Sequence, residues 1–374
     1  MKKFNLIQVV PSLQSGGVEQ GTIDVANYLA ETEIKNYIAS SGGQMLSSLS
    51  KKYVKHYTMP VHSKNFLLMP IVARKINKII NENNINILHI RSRAPAWLLP
   101  YINKEKLKTV STFHNVYGHH NIIKKFYSRQ LSNVDKIVAI SKYVKDEIVK
   151  NYQINQDKII VINRGIDVNF LNADIDDQKN YIYFINKHKI NMQNKIILFP
   201  GRLTEWKGQL EFLKIAEYFK DKPMVFYFVG DDKNTSYLKK LNQEIIKKNL
   251  NHNCCILGHL NKNELKIMYK CSDIVISAPL KPEGFCRIIS ETLSMKKMIL
   301  AYHFGGAKNQ LDGLDSIYKI MPQDFNEMKK KIINVLQLTE SQIDNMGAVA
   351  RKHVVNKFSK EKMLSSYVNF YEAL

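Results

Sequence analysis

The sequence contains no run of 18 or more apolar residues, so nothing in it reads as a membrane-spanning helix. Its start, Met1-Lys2-Lys3 followed by Phe4–Val10, has the basic-then-apolar order of a secretory leader. Asn5 and Gln8 interrupt that stretch, however, and no small-residue cleavage site precedes Pro11. It reads instead as a first buried strand, and the protein is expected to stay in the cytoplasm. Cysteine is scarce. The four present (Cys254, Cys255, Cys271 and Cys286) are not at metal-ligand spacing, which argues against a zinc site or a disulfide framework and for buried thiols. The Gly-x-Gly-x-x-Gly fingerprint of dinucleotide-dependent oxidoreductases is missing after the first strand, where Gln14-Ser15-Gly16-Gly17-Val18 stands. Internal repeats and low-complexity segments are also absent, which sets repeat architectures aside.

Acidic residues are few relative to basic ones. Lys and Arg number 55 against 33 Asp and Glu, a formal net charge of +22. Part of this is a general abundance of Lys in solvent-facing helices, as at Lys239-Lys240 and Lys247-Lys248. The rest draws the chain toward polyanions: nucleic acid, anionic lipid headgroups or phosphorylated substrates. Each basic residue close to an anionic membrane surface is worth about 1 kcal/mol.

At 374 residues the chain exceeds what one hydrophobic core usually supports, so two α/β domains are expected. Strand-like runs at Phe4–Val10, Ile87–Ile90, Lys108–Phe113, Lys136–Ser141 and Lys158–Ile162 alternate with helical patterns. A second series follows at Lys195–Pro200, Met224–Gly230, Cys254–Leu257, Asp273–Ala278 and Met298–His303. That alternation predicts parallel sheets with right-handed crossovers. The series breaks in the polar, acidic stretch Asn172–Asn180. This places an N-terminal Rossmann-like domain at residues 1–178 and a second at 190–356.

Ligands of open parallel sheets bind beyond the carboxyl ends of the strands, so the loops there carry the chemistry. Ser277–Glu291 takes a strand through a Pro-bracketed loop into a helix expected to open near Gly284. Glu283 and Glu291 lie eight residues apart, about two helical turns, with both carboxylates expected at one mouth of the sheet. Backbone N–H groups of Phe285, Cys286 and Arg287 are expected to form an anion site at the helix N-terminus. A carboxylate such as Glu291 can accept both hydroxyls of a ribose. In Gly201–Gly208, Arg202 and Lys207 flank a loop before an amphipathic helix, suited to a diphosphate.

The Glu283…Glu291 pair and Gly201-Arg202-Leu203…Lys207-Gly208 resemble the signature of the family-4 retaining glycosyltransferases with the GT-B fold. Pro11–Glu19 resembles that family's first glycine loop, Val161–Asp167 its interdomain turn, and Gly305-Gly306 its late glycine pair. Arg91–Trp97 together with Thr112–Tyr117 is similar to a bacterial subgroup that adds sugars to the lipopolysaccharide core. Family membership implies a GT-B fold: two Rossmann-like doubly wound parallel-sheet domains with an interdomain cleft, the C-terminal helix 357–374 packing back on the first. It implies hexose transfer from a GDP- or UDP-linked sugar to a lipid-linked or glycan acceptor, with retention and without a metal or other cofactor. On that reading Arg202 and Lys207 stabilise the leaving diphosphate, and Glu291 holds the ribose. Glu283, His114 and the Gly16-Gly17 loop orient the sugar, while Arg91 and Arg93 are acceptor-side cations. Peripheral contact with an anionic inner-membrane surface fits the charge, and nucleic acid is not an expected partner.

One departure stands out. Where the family often has a Glu after the late glycine pair, this chain has Lys308-Asn309-Gln310. Asp231-Asp232 lacks the spaced carboxylates of a metal site. Rival readings are a non-enzymatic polyanion-binding protein, which gives the paired motifs no purpose, and a GT-B hydrolase or epimerase of nucleotide sugars.

Overall fold

The computed structural model describes residues 4–63, 65–117, 121–174, 178–231, 233 and 235–374, which divide into two compact units. Unit 1 comprises residues 1–165 and 360–374, and unit 2 residues 166–359.

Unit 1 is built on a seven-stranded parallel sheet. Its strands are β1 (Leu6–Val9), β2 (Asn36–Ser40), β3 (Val54–Thr58), β4 (Ile87–Ile90), β5 (Lys108–Phe113), β6 (Lys136–Ala139) and β7 (Ile159–Val161). They lie in the order β3-β2-β1-β4-β5-β6-β7. Strands β1 and β4 are buried at every position, as expected of strands covered by helices on both faces. Strands β2 and β3 have no counterpart among the sequence expectations. Asn36 opens the one, and the other, Val-Lys-His-Tyr-Thr, is half-exposed at the sheet edge and lacks an apolar run.

The helix Lys360–Glu372 belongs to unit 1. Its Met363, Leu364, Tyr367, Phe370 and Tyr371 share a buried cluster with Phe4, Leu6, Val110 and Val138. A buried polar link pins it further, Tyr371 Oη lying 2.7 Å from His89 Nδ1, with His89 Nε2 2.7 Å from Thr112 Oγ1.

Unit 2 holds a six-stranded parallel sheet of β8 (Lys195–Pro200), β9 (Met224–Val229), β10 (Cys254–Gly258), β11 (Ile274–Ser277), β12 (Met298–Tyr302) and β13 (Lys319–Ile320). The order is β10-β9-β8-β11-β12-β13. Strand β13, only two residues long, was not expected either.

The division of the chain falls between Gly165 and Ile166, ahead of the polar stretch that marked it in the sequence. Composition misplaces it because residues 166–171 are tied into unit 2. Ile166 N–H donates to Phe358 O, and Arg351 donates to Val168 O and Leu171 O at 3.0 and 2.9 Å. Of the polar stretch itself, residues 175–177 lie outside the described residues. At the other end the return to unit 1 starts at Lys360 rather than 357, since Phe358 is buried within unit 2 against the ring of Phe285.

Candidate active site

In each sheet the strand order reverses direction once, between β1 and β4 in unit 1 and between β8 and β11 in unit 2. Such switch points leave a crevice at the carboxyl ends of the two strands. Four of the loops singled out in the sequence follow these strands: Pro11–Gly17 after β1, Arg91–Trp97 after β4, Gly201–Gly208 after β8, and Ala278–Cys286 after β11; His114 follows β5, the next strand in unit 1.

In unit 2 the two loops are locked together. Leu280 N–H donates to Trp206 O at 2.8 Å. Gly208 has φ +85, and a Cβ there would lie 2.3 Å from Ala278 O, so no other residue permits this approach. The lock brings Lys207 Nζ to 2.7 Å from Glu283 Oε1, with both side chains mostly buried and the Lys207 ammonium over the Trp206 ring. Arg202 is exposed at the mouth of the same loop, its guanidinium 5.8 Å from the Trp206 ring centre. The late glycine pair holds Glu283 from the other side. Gly306 N–H donates to Glu283 O at 2.8 Å, and a Cβ on Gly306 would lie 2.3 Å from Gly284 O.

The helix after this loop starts at Arg287, not near Gly284, so Glu283 precedes it and the two glutamates are not two turns apart on one helix. They also have different partners. Glu291 accepts from Tyr269 Oη at 2.9 Å and pairs with Arg287 at 3.1 Å. It lines a cavity of about 230 Å³ whose walls include Phe170, Lys262, Lys266, Tyr269 and Arg287.

The expected anion site on three backbone N–H groups needs correcting, because Cys286 N–H is already taken. The buried Gln310 accepts it at 3.0 Å and donates back to Cys286 O at 2.9 Å and to Ser290 Oγ at 2.8 Å. The departure at Lys308-Asn309-Gln310 thus supplies a brace for the strand-to-helix turn. Phe285 is buried, and the Cys286 thiol is pushed up to about 11 by burial and the nearby Glu283 charge, so it stays protonated.

In unit 1, Gly16 caps the helix Gly17–Glu31 with φ 127. Arg164, which follows β7, donates to Gly17 O and, at 2.9 Å, to His114 Nδ1. A guanidinium can only donate, so Nδ1 is the bare nitrogen of His114, and Nε2–H donates to Arg91 O at 2.8 Å. Burial, then the Arg164 and Arg91 charges, hold the His114 imidazole well below its ordinary pKa. Both nitrogens are in use and the ring is neutral. His114 therefore bridges loops and has no spare proton to transfer.

Arg91 is also not where the sequence reading put it. It is 2% exposed, with its guanidinium 5.2 Å from the Tyr367 ring centre, too deep for an acceptor-side cation. Arg93 is half-buried, 4.3 Å over the Tyr117 ring. Among the described residues no cluster of three or more His, Cys, Asp or Glu could hold a metal ion. Asp231 has Lys233 at 3.8 Å, and Asp232 lies outside the described residues.

Comparison with known proteins decides the family. The model for Glycosyltransferase Family 4 matches residues 15–170, and that for Glycosyl transferases group 1 matches residues 183–353. A glycosyltransferase from Rickettsia africae has a crystal structure that superposes with a TM-score of 0.90 at 33% identity, covering 100% of this chain and 99% of that one. The chain belongs to the family-4 glycosyltransferases.

This enzyme is also 28% identical over 316 residues to an uncharacterized glycosyltransferase of Methanocaldococcus jannaschii, covering 81% of this chain and 80% of the relative. The Anabaena protein HepE, solved with UDP and glucose, shares the GT-B fold with a TM-score of 0.81 at 17% identity, covering 99% of this chain and 100% of that one. Sequence reading missed several residues of the glycosyltransferase's loops. Arg164 passed as part of a turn and Gln310 as the loss of a contact. Tyr269, Lys262 and Lys266 sit on a helix that the sequence marks by periodicity and by the Asn261…Glu264 capping pair at its start, neither of which points to a ligand.

Proposed function

We propose that this glycosyltransferase moves a hexose from a GDP- or UDP-linked sugar to a hydroxyl of a lipopolysaccharide-core or other cell-envelope glycan, with retention and without a metal. The observation that carries the reading is the Lys207–Glu283 pair at 2.7 Å, at the unit 2 switch point and beside the exposed Arg202. Lys207 fixes one oxygen of Glu283 and leaves the other for sugar hydroxyls. Two further N–H donors of Lys207 and the Arg202 fork meet the diphosphate, where preorganised cations stabilise the charge that develops on departure. Glu291 receives the ribose hydroxyls. Tyr269 holds one of its oxygens, while its other partner, Arg287, is exposed and readily displaced.

In the reaction the bond from the anomeric carbon to the leaving phosphate breaks, and a bond to the acceptor oxygen forms on the same face. The acceptor proton passes to the leaving phosphate, since no side chain among the described residues is poised as a nucleophile and the one bare nitrogen of His114, Nδ1, already accepts from Arg164. Gly16, Gly17 and His114 then act by positioning, and Arg93 rather than Arg91 serves the acceptor. HepE, solved with UDP and glucose, lends support to a nucleotide-linked hexose. The enzyme works in the cytoplasm at the inner face of the membrane, where a lipid-linked acceptor is presented. No helix among the described residues is long and apolar enough to cross a membrane.

The test is incubation with labelled GDP- and UDP-hexoses in the presence of chelator, with and without a lipid-linked core acceptor. Acceptor-dependent transfer of label with retained anomeric configuration is expected. Release of free sugar without acceptor would point to a hydrolase, and no turnover of any nucleotide sugar would overturn the reading.

A further inference from the structure

Unit 1 carries a surface of exposed apolar side chains. The helix Ile122–Arg129 has Ser128 as its only buried residue, so its apolar side chains are turned outward. Ile122, Ile123 and Phe126 are 86%, 77% and 62% exposed. Nearby, the short turn Phe66–Leu68 and the start of the next helix present Phe66, Leu67 and Ile71 at 54%, 82% and 50% exposure. These segments form one patch because Trp97 joins them. Its ring centre lies 4.9 Å from that of Phe66 and 5.7 Å from that of Phe126. Single exposed apolar residues need no explanation, but a contiguous patch marks an interaction surface.

Charge decides the occupant. Lys124 and Lys125 sit between Ile123 and Phe126, and Arg74, Lys75 and Arg129 are likewise exposed on the same segments. From Ile34 to Asn81 the sequence has no acidic residue, and none from Lys106 to Val134. A second copy of the chain would bring two such basic faces together. Apolar tips interleaved with Lys and Arg instead match the interface of an anionic bilayer, where the tips enter the acyl boundary and the cations meet headgroups.

We infer that the Phe66–Ile71 and Ile122–Phe126 segments, joined through Trp97, are the surface by which this enzyme docks on anionic membranes. This deepens the proposed function, in which the acceptor is lipid-borne, but docking is measured independently of transfer.

The test uses the full chain in flotation with vesicles of phosphatidylcholine containing phosphatidylglycerol, and with phosphatidylcholine alone. The enzyme is expected to float with the anionic vesicles only, and less so as salt rises. Leu67→Ser with Ile122→Ser, Ile123→Ser and Phe126→Ser should weaken flotation by about tenfold or more, as should Lys124→Glu with Lys125→Glu. Both variants should melt like the parent and keep its stabilisation by nucleoside diphosphates, since none of these residues lies in the donor loops. Failure of the parent to float, or flotation of both variants like the parent, would overturn the proposal. So would a dimer in sedimentation that the serine variant dissolves. Loss of nucleotide response in the parent would count against the proposed function and leave the docking result standing.

Discussion

Replacing Gln310 by Leu tests whether the strand-to-helix turn at Cys286 is braced as described. Leu keeps the volume but removes one acceptor and two donors. Cys286 N–H then has no partner in a buried turn, whereas Cys286 O retains Ile289 N–H at 3.1 Å. The orphaned N–H costs about 1–3 kcal/mol and the lost bonds to Cys286 O and Ser290 about another 1 kcal/mol, so about 2–4 kcal/mol in all. For a unit of this size each kcal/mol lowers the melting temperature by roughly 2–4 °C, which predicts a drop of about 5–15 °C in the transition of unit 2. Differential scanning calorimetry reads that shift, and hydrogen exchange should show the Cys286 amide losing protection. A transition within about 1 °C of the parent, with Cys286 as protected as before, would refute the bracing role.

Three further outcomes follow from the same geometry. Lys207→Ala should lower kcat by about 10²–10³ with a smaller effect on KM, and a loss below about threefold would remove Lys207 from the transition state. Gly306→Ala forces a Cβ against Gly284 O and displaces Glu283, so transfer should fall steeply while the circular dichroism spectrum stays native; full activity would contradict the clamp. Burial holds His114 and His89 below their ordinary pKa, so below about pH 6.5 the unfolded chain binds protons that unit 1 does not. The stability they contribute is present above that pH and is lost as pH falls, by up to about 1.4 kcal/mol per pH unit for each group. His114→Gln should flatten the pH dependence of unit 1 melting between pH 6.5 and 5.5, and an unchanged slope would show that His114 is not buried neutral.

The central strands were legible because parallel strands covered on both faces read as apolar runs, as in Ile-Ile-Leu-Phe of β8. The edges were not. Strand β3 carries Lys55 and His56 side by side in its middle and has no apolar run, and β13 has only two residues. The domain boundary misled for a related reason: composition marks where the chain is polar, whereas the division follows Ile166, Val168 and Leu171 into unit 2. Of the candidate-site loops, Gly201–Gly208 and Ser277–Glu291 were legible as loops leaving the neighbouring strands β8 and β11, since residue type and position after a strand are both visible in sequence. Side-chain satisfaction is not. Arg91 reads as a surface cation until the Tyr367 ring covers it, and nothing in the letters links Arg164 to His114 or Gln310 to Cys286.

The most direct measurement is thermal stabilisation of the purified enzyme by a panel of nucleoside diphosphates and nucleotide sugars, in chelator and again with divalent metal. A ligand that binds only the folded state raises the melting temperature by mass action, by about 2.7 kcal/mol of stability at one hundred times its Kd. The account predicts selective stabilisation by one nucleoside diphosphate and its sugar, unaffected by chelator and abolished in Glu291→Ala. A well-folded enzyme that responds to none of them, or responds equally when Glu291 is absent, would contradict it.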